Sequence, residues 1–321
     1  MNSHHTYTYR RLVRYGDCDA SRNYYTPRAI DYAVEAVAGW YEDVLGISWM
    51  ELTARYDWQV NVVRVGCEFS KTLTAGEVVQ ARVAVVGLDE SRVSFRVSAE
   101  NETGSVCFLA TLTANLIERR NFEPLPMPPD FRERIEMHRV ACAQVEAAVK
   151  DAGTQAELLH PSPSCAAVAG SCDIPFILER RVTYGECGVS GTVYPPRVFD
   201  YLLDAAGEWY QRTLGISWLE QNAARRGQPF LSASCDYLRP MLPGQRISTS
   251  VTVSRLGRSS IVYSLVGFDQ EGTRYFEAQM AACYVINENG ALKPTPFPAQ
   301  LRERIAAYQA ACAALDGTRH K

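Results

Sequence analysis

The chain has few of the features that would assign it to a common class at once. In 321 residues no run approaches the roughly 18 apolar residues of a membrane-spanning helix. The N-terminus, MNSHHTYTYRRLV, has no apolar stretch of a secretory leader, so a cytoplasmic protein is expected. A net charge of −3 provides no basic field for nucleic acid. Lysine occurs only at 71, 150, 293 and 321, against 29 arginines, a skew spread along the whole chain that reads as coding bias. Ten cysteines form no C-x-x-C pair and no metal-ligand spacing, so they are read as reduced and half-buried in a cytosolic protein. The sequon Asn101-Glu102-Thr103 then has no use. A G-x-S-x-G elbow and a phosphate loop are both missing, which removes the serine hydrolases of that type and the P-loop enzymes. What remains is a composition of 47% hydrophobic and 21% charged residues, that of a folded chain with real cores.

The most informative feature is a repeat. RYGDCDASRNYYTPRAIDY, at 14–32, returns in altered form as TYGECGVSGTVYPPRVFDY at 183–201. Over residues 15–49 against 184–218, 17 of 35 positions are identical without a gap, which marks an internal duplication. Cys18 recurs as Cys187, and Cys67 as Cys235. In each copy a short alternating strand (6–15, 176–184) leads into an acidic loop and then a long helix. In the first copy Thr26 and Pro27 suit the start of that helix and Gly46 its end. The apolar positions Ile30, Val34, Val37, Tyr41 and Val44 give it one buried face. Four strands are expected next, at 58–70, 77–88, 91–100 and 105–118, and in the second copy at 229–238, 245–256, 259–269 and 273–287. A Pro-rich loop and a helix containing RERI close each copy. The expected organisation is a first domain over 1–150, an Ala/Ser/Pro/Gly-rich linker over 151–175 and a second domain over 176–321.

A strand, a long helix and four antiparallel strands bury their apolar faces best when the sheet wraps the helix. That is the hotdog architecture. The expected class is α+β, a double hotdog in which two fused domains each wrap an antiparallel sheet around a long helix. A further dimer of double hotdogs is expected from sheet edges left exposed.

The run Gly16-Asp17-Cys18-Asp19, a short loop, Tyr25-Thr26-Pro27 and a helix resembles the hydroxybenzoyl-CoA thioesterase family of hotdog enzymes, in both halves of the chain. The family pattern is G-D-x-D-x-x-G-x-x-(aromatic)-(aromatic)-P. The resemblance implies an acyl-thioester hydrolase acting on acyl-CoA or acyl-carrier-protein thioesters, with no metal or organic cofactor. It implies that Asp19 is the catalytic carboxylate, as nucleophile or as general base for a water. It also implies that the backbone amide of Thr26, at the helix start, polarises the thioester carbonyl. The second copy departs at both points: Gly188 stands at the Asp19 position and Pro195, which has no N–H, at the Thr26 position. One active site per chain follows, in the first copy. The first copy departs once, with Arg22 where the family and the second copy (Gly191) have glycine.

Arg22, Asn23, Tyr24 and Tyr25 are the candidate substrate-binding residues. Arg22 could grip a substrate carboxylate or phosphate, or point to solvent; Tyr25 recurs as Tyr194 and could simply pack. Asp17 reads as structural, because its counterpart Glu186 survives in the copy that has lost Asp19. Asp31 and Glu35 read as a polar helix face, and Trp40, Trp49, Trp209 and Trp218 as core. Arg119-Arg120 and Arg180-Arg181 read as solvated strand ends, or as anchors for coenzyme A phosphates or an acidic carrier protein. The five histidines, at 4, 5, 138, 160 and 320, all fall outside the expected cores, which argues against a hotdog dehydratase. Two alternatives stay open: a double-hotdog acyltransferase or decarboxylase of a polyketide-type pathway, and a non-catalytic acyl-binding protein.

Overall fold

The expected helix forms over Pro27–Trp40 (α1) in the computed structural model, which describes residues 7–151, 176–288 and 291–318. The chain divides into two compact units at Ser164/Cys165. Residues 152–175, and with them His160, lie outside the described residues, as do His4, His5 and His320.

In the first unit the elements run β1 (Tyr7–Leu12), α1, α2 (Trp49–Tyr56), β2 (Trp58–Phe69), β3 (Val78–Leu88), β4 (Arg92–Asn101), β5 (Val106–Glu118), β6 (Pro124–Leu125) and α3 (Pro129–Asp151). The main strands lie in the order β1-β3-β4-β5-β2, every pair antiparallel. Alternation along β4 sends Val93, Phe95, Val97 and Ala99 inward, and β3 adds Val79, Ala81, Val83 and Val85. They cover Ile30, Val34, Val37 and Trp40 of α1, all buried. Each such large aliphatic or aromatic side chain contributes about 1.5–3 kcal/mol on burial. That far exceeds the few tenths lost to poor helix propensity at the β-branched positions.

After Trp40 the helix widens into a π-type turn, Tyr41–Leu45, and stops at Gly46, whose φ of 67° only glycine adopts without cost. Gly215 ends the second long helix at the same φ. The RERI motif explains itself here. Arg134 Nη1 donates to the carbonyl of Leu45 (2.7 Å) and Arg304 Nη1 to that of Leu214 (2.6 Å), so one arginine of each motif caps the helix C-terminus. Ile135 and Ile305 beside them are fully buried.

The second unit repeats the plan: β7 (Ile177–Arg181), α4 (Arg197–Leu214), α5 (Trp218–Ala223), β8 (Arg226–Gly227), β9 (Phe230–Tyr237), β10 (Arg246–Leu256), β11 (Ser260–Phe268), β12 (Arg274–Cys283), β13 (Val285–Glu288), β14 (Ala291–Pro294) and α6 (Ala299–Thr318). Its sheet order is β7-β10-β11-β12-β9. Each unit is therefore an α+β hotdog, with an antiparallel sheet against a long helix. The strand expected over 273–287 is broken at Tyr284, whose amide turns to the carbonyl of Ser259 (2.6 Å). The remainder, β13, joins β14 and β8 in a small separate sheet.

One expectation is corrected. His138 does not lie outside the core: on α3 it is buried against Trp40, with the indole Nε1 3.3 Å from its Nε2 and Cys142 Sγ 3.5 Å from its Nδ1. Among the described residues no carboxylate is bonded to it. The RERI alignment places Tyr308 at the same position in the second unit, its ring 5.2 Å from Trp209. His138 thus fills the aromatic position beneath the core tryptophan. Burial pushes its pKa below the ordinary histidine value. Trp40 and Trp209 are fully buried as expected, while Trp49 is half-buried and the side chain of Trp218 lies outside the described residues.

Candidate active site

Two loops with one backbone and different side chains define the site. Between β1 and α1, an antiparallel bridge pairs Cys18 with Tyr24; in the second unit Cys187 pairs with Val193. In the first loop the amide of Asp19 donates to Asn23 O (2.9 Å) and that of Arg22 to Asp19 O (3.0 Å). In the second the amide of Gly188 donates to Thr192 O (2.9 Å) and that of Gly191 to Gly188 O (3.0 Å). The glycine-to-arginine departure therefore leaves the loop's course unchanged. Arg22 takes a φ of 67° where Gly191 takes 82°. For an L-residue with a Cβ this left-handed conformation costs about 1–2 kcal/mol, which glycine avoids.

Asp19 is exposed at the tip of its loop. Its Oδ1 accepts from the amide and the hydroxyl of Ser21, at 2.8 and 2.6 Å. Its Oδ2 accepts no hydrogen bond from any described residue. One oxygen thus fixes the carboxylate and the other is open to a reacting group. Ser21 recurs as Ser190, a signal in the repeat that reading the acids alone passes over.

Asp17 is held quite differently. It is buried, and its Oδ2 accepts from the amide of Arg14 (2.8 Å) and the hydroxyl of Tyr32 (2.9 Å). Arg11 lies 3.6 Å from its Oδ1 and stacks over the Tyr32 ring at 4.6 Å. The second unit rebuilds this lock: Glu186 accepts from Thr183 N (2.7 Å) and Tyr201 Oη (3.1 Å), and Arg180 pairs with Glu186 and lies 3.8 Å over Tyr201. Burial and the adjacent carboxylate push the Tyr32 and Tyr201 hydroxyls well above the ordinary tyrosine range. The acid–tyrosine–arginine lock is structural, since it persists in both loops. Arg11 and Tyr32 were legible as members of it only through Arg180 and Tyr201 at the repeat offset.

The helix start carries the other difference. Thr26 precedes α1 with φ −48° and ψ −43°. Arg28 N donates to Tyr25 O (2.8 Å) and Ala29 N to Thr26 O (3.1 Å), but the N–H of Thr26 finds no acceptor among the described residues. The same turn in the second unit has Arg197 N to Tyr194 O (2.8 Å) and Val198 N to Pro195 O (3.1 Å), with proline where the free donor would be. Thr26 therefore supplies a helix-terminal N–H, within the partial positive charge of the helix end, seven residues after Asp19.

The expected substrate-binding residues separate. Arg22 is exposed, and its guanidinium has no bonded partner among the described residues. Asn23 is half-buried and donates to Ser21 Oγ (3.2 Å). Tyr25 is half-buried, with its amide on Asp17 O (2.7 Å). Tyr24 turns inward: it is 7% exposed, its ring is 6.3 Å from that of Tyr32, and its buried hydroxyl has no hydrogen-bond partner among the described residues. Such an orphaned hydroxyl costs about 1–3 kcal/mol, and the second unit avoids the cost with Val193. Arg119 and Arg120 both grip Asp57, at 2.6 and 2.7 Å, and are engaged within the fold. Asp31 is bonded to Arg28 (2.6 Å), and Glu35 to Tyr9 Oη (2.7 Å) and Arg11. Among the described residues no group of His, Cys, Asp and Glu is placed to hold a metal ion, and no helix is long and apolar enough to cross a membrane.

A hotdog with an acid loop feeding its central helix defines a class, and comparison gives the family. The pattern of the Thioesterase-like superfamily matches residues 13–135 and again 182–305. The chain belongs to that superfamily, twice over. An Aquifex aeolicus (strain VF5) protein, provisionally named an esterase, is 26% identical over 123 residues, which is 38% of this chain and 93% of that protein. Among solved structures, the 12:0-ACP thioesterase from Umbellularia californica aligns over 86% of this chain and 94% of its own, at a TM-score of 0.63 and 14% identity. An acyl-ACP thioesterase from Bacteroides thetaiotaomicron aligns over 86% and 96%, at a TM-score of 0.61 and 11% identity. At such identities the likeness is one of fold.

Proposed function

We propose that the chain hydrolyses acyl thioesters of coenzyme A or of an acyl carrier protein, at one site, in the first unit. The observation that carries this is the contrast between two loops of the same course. The first has a carboxylate with an open oxygen and a helix-terminal N–H with no partner among the described residues; the second has neither. In this reading the thioester carbonyl oxygen accepts from Thr26 N–H, and Asp19 acts on the carbonyl carbon directly or by taking a proton from an attacking water. Negative charge then builds on the carbonyl oxygen, where the amide stabilises it, and collapses as the C–S bond breaks. The leaving thiolate takes its proton from Asp19 in the general-base route and from solvent in the direct route, in which water then hydrolyses the acyl–aspartyl anhydride to free acid and the Asp19 carboxylate. Membership of the Thioesterase-like superfamily supports the reaction class.

The test is thiol release from a panel of short, long, aromatic and malonyl-type thioesters on both carriers, with products weighed by mass spectrometry. Wild type is expected to release thiol and free acid, and Asp19→Asn to lose that activity by orders of magnitude. Acyl groups moved between carriers, or carbon dioxide lost, would replace hydrolysis with transfer or decarboxylation. An Asp19→Asn protein as active as wild type would remove the carboxylate from the mechanism.

A further inference from the structure

Arg22 is costly to the fold and receives nothing visible in return. Its left-handed φ of 67° is one that glycine holds freely, and Gly191 shows that the same loop closes with glycine. Its guanidinium is exposed and bonded to no described residue. In particular it does not pair with Asp19, whose carboxylate is fixed by Ser21 and keeps Oδ2 open. A second cation stands on the neighbouring segment. The amide of Tyr24 is bonded to Leu73 O (2.7 Å), and Lys71, two residues before Leu73, is exposed with its Nζ on the neutral Ser105 Oγ (3.2 Å). Neither positive side chain has a carboxylate partner among the described residues, and Arg22 stands in the same loop as the open carboxylate. Electrostatically this favours a substrate that brings its own negative charge. Such a substrate is repelled by Asp19, and a cation three residues away offsets the repulsion without neutralising the reacting oxygen. A guanidinium is also the group best shaped to hold a carboxylate or phosphate through paired N–H donors.

We propose that Arg22 is a specificity residue that binds an anionic oxygen group of the thioester substrate, a carboxylate on the acyl chain or a phosphate on the carrier. This rests on the hydrolase reading of the same site and adds the substrate class to it. The second unit has no carboxylate at the Asp19 position, no N–H at the Thr26 position and no cation at the Arg22 position, so the three stand together in the first loop alone.

The test uses the full chain and four thioesters: succinyl and butyryl, each on coenzyme A and on N-acetylcysteamine, which carries no phosphate. Arg22→Gly adopts the residue that the second loop already accommodates, so its thermal midpoint should not fall, and circular dichroism checks this. If the partner is an acyl carboxylate, the succinyl-over-butyryl ratio of kcat/KM drops about tenfold or more on both carriers, chiefly through KM, and Arg22→Lys recovers part of it. If it is a carrier phosphate, the coenzyme-over-cysteamine ratio drops by a similar factor whatever the acyl group. Unchanged ratios in an active Arg22→Gly protein would overturn the proposal and leave the hydrolase standing. A wild type that turns over none of the four and none of the wider panel would overturn both.

Discussion

Thr26→Pro tests the helix-start donor with little else disturbed. The replacement removes one N–H, and that N–H bonds to no described residue, so no hydrogen bond of the fold is lost. Thr26 sits at φ −48°, close to the range that the proline ring imposes. The second unit shows the outcome: Pro195-Pro196 begins α4 with the same two turn bonds, at 2.8 and 3.1 Å, that Tyr25 and Thr26 accept in the first. Stability should therefore change by no more than about 0.5 kcal/mol, the range for surface substitutions that break nothing. Activity should change far more. Loss of a single oxyanion donor typically costs about 2.7–4 kcal/mol of transition-state stabilisation, a factor of roughly 10²–10³ in kcat. The assay is thiol release under saturating substrate, beside urea unfolding of the same preparations. Thr26→Ala keeps the amide and reports the hydroxyl's share, and the reasoning requires the proline variant to lose much more than the alanine one. A proline variant that unfolds like wild type and keeps kcat within about threefold would refute the assignment of this amide to the transition state.

Two further predictions concern the supports of the site. Asp17→Asn should cost about 1.5–3 kcal/mol in urea unfolding, because a buried charged acceptor for Arg14 N–H and Tyr32 is lost; Glu186→Gln should cost a similar amount although its loop lacks the reactive acid. An Asp17→Asn protein that unfolds like wild type but is inactive would make Asp17 part of the chemistry. His138, neutral in the core because burial lowers its pKa, takes up a proton more readily in the unfolded chain, so its contribution to stability declines as the pH falls below about 6.5. His138→Phe should flatten the fall in unfolding free energy between pH 7.5 and 5.5, and an undiminished slope would show that another group sets it.

Much of this was legible in the sequence because the chain carries its own comparison. The duplication marked the long helix and the four-strand pattern of each copy, since positions kept in both copies build the fold and positions kept in one are free to serve a local role. The misses have physical causes. Ser48-Trp49-Met50-Glu51 and Ser217-Trp218-Leu219-Glu220 are capping boxes in sequence and in structure, and they start the short helices α2 and α5. They were overlooked because each follows a helix-ending glycine at once, and the strand pattern takes over within ten residues. His138 was misplaced because α3 has no strong apolar face by composition, so its packing on α1 depended on tertiary contacts. The small sheet of β8, β13 and β14 is built from fragments of two to four residues, too short for any periodicity.

The second loop shows what the first gives up. Both keep the acid–tyrosine–arginine lock, the bridge that closes the loop and the turn into the helix. Among the positions that differ, the first loop has the costlier residue at Arg22 and at Tyr24: a left-handed arginine and a buried tyrosine hydroxyl without a partner among the described residues. Gly191 and Val193 relieve both. Glycine is also the residue of the family pattern at the Arg22 position, so the arginine is the first loop's own departure, and a residue that costs stability is retained where it serves a function. The cost at Arg22 and Tyr24 supports the proposed site in the first unit. Arg22→Gly with Tyr24→Val should therefore yield a chain more stable to urea, because one change relieves a left-handed φ and the other removes a buried hydroxyl that has no partner among the described residues; a double variant no more stable than wild type would refute this reading of their cost.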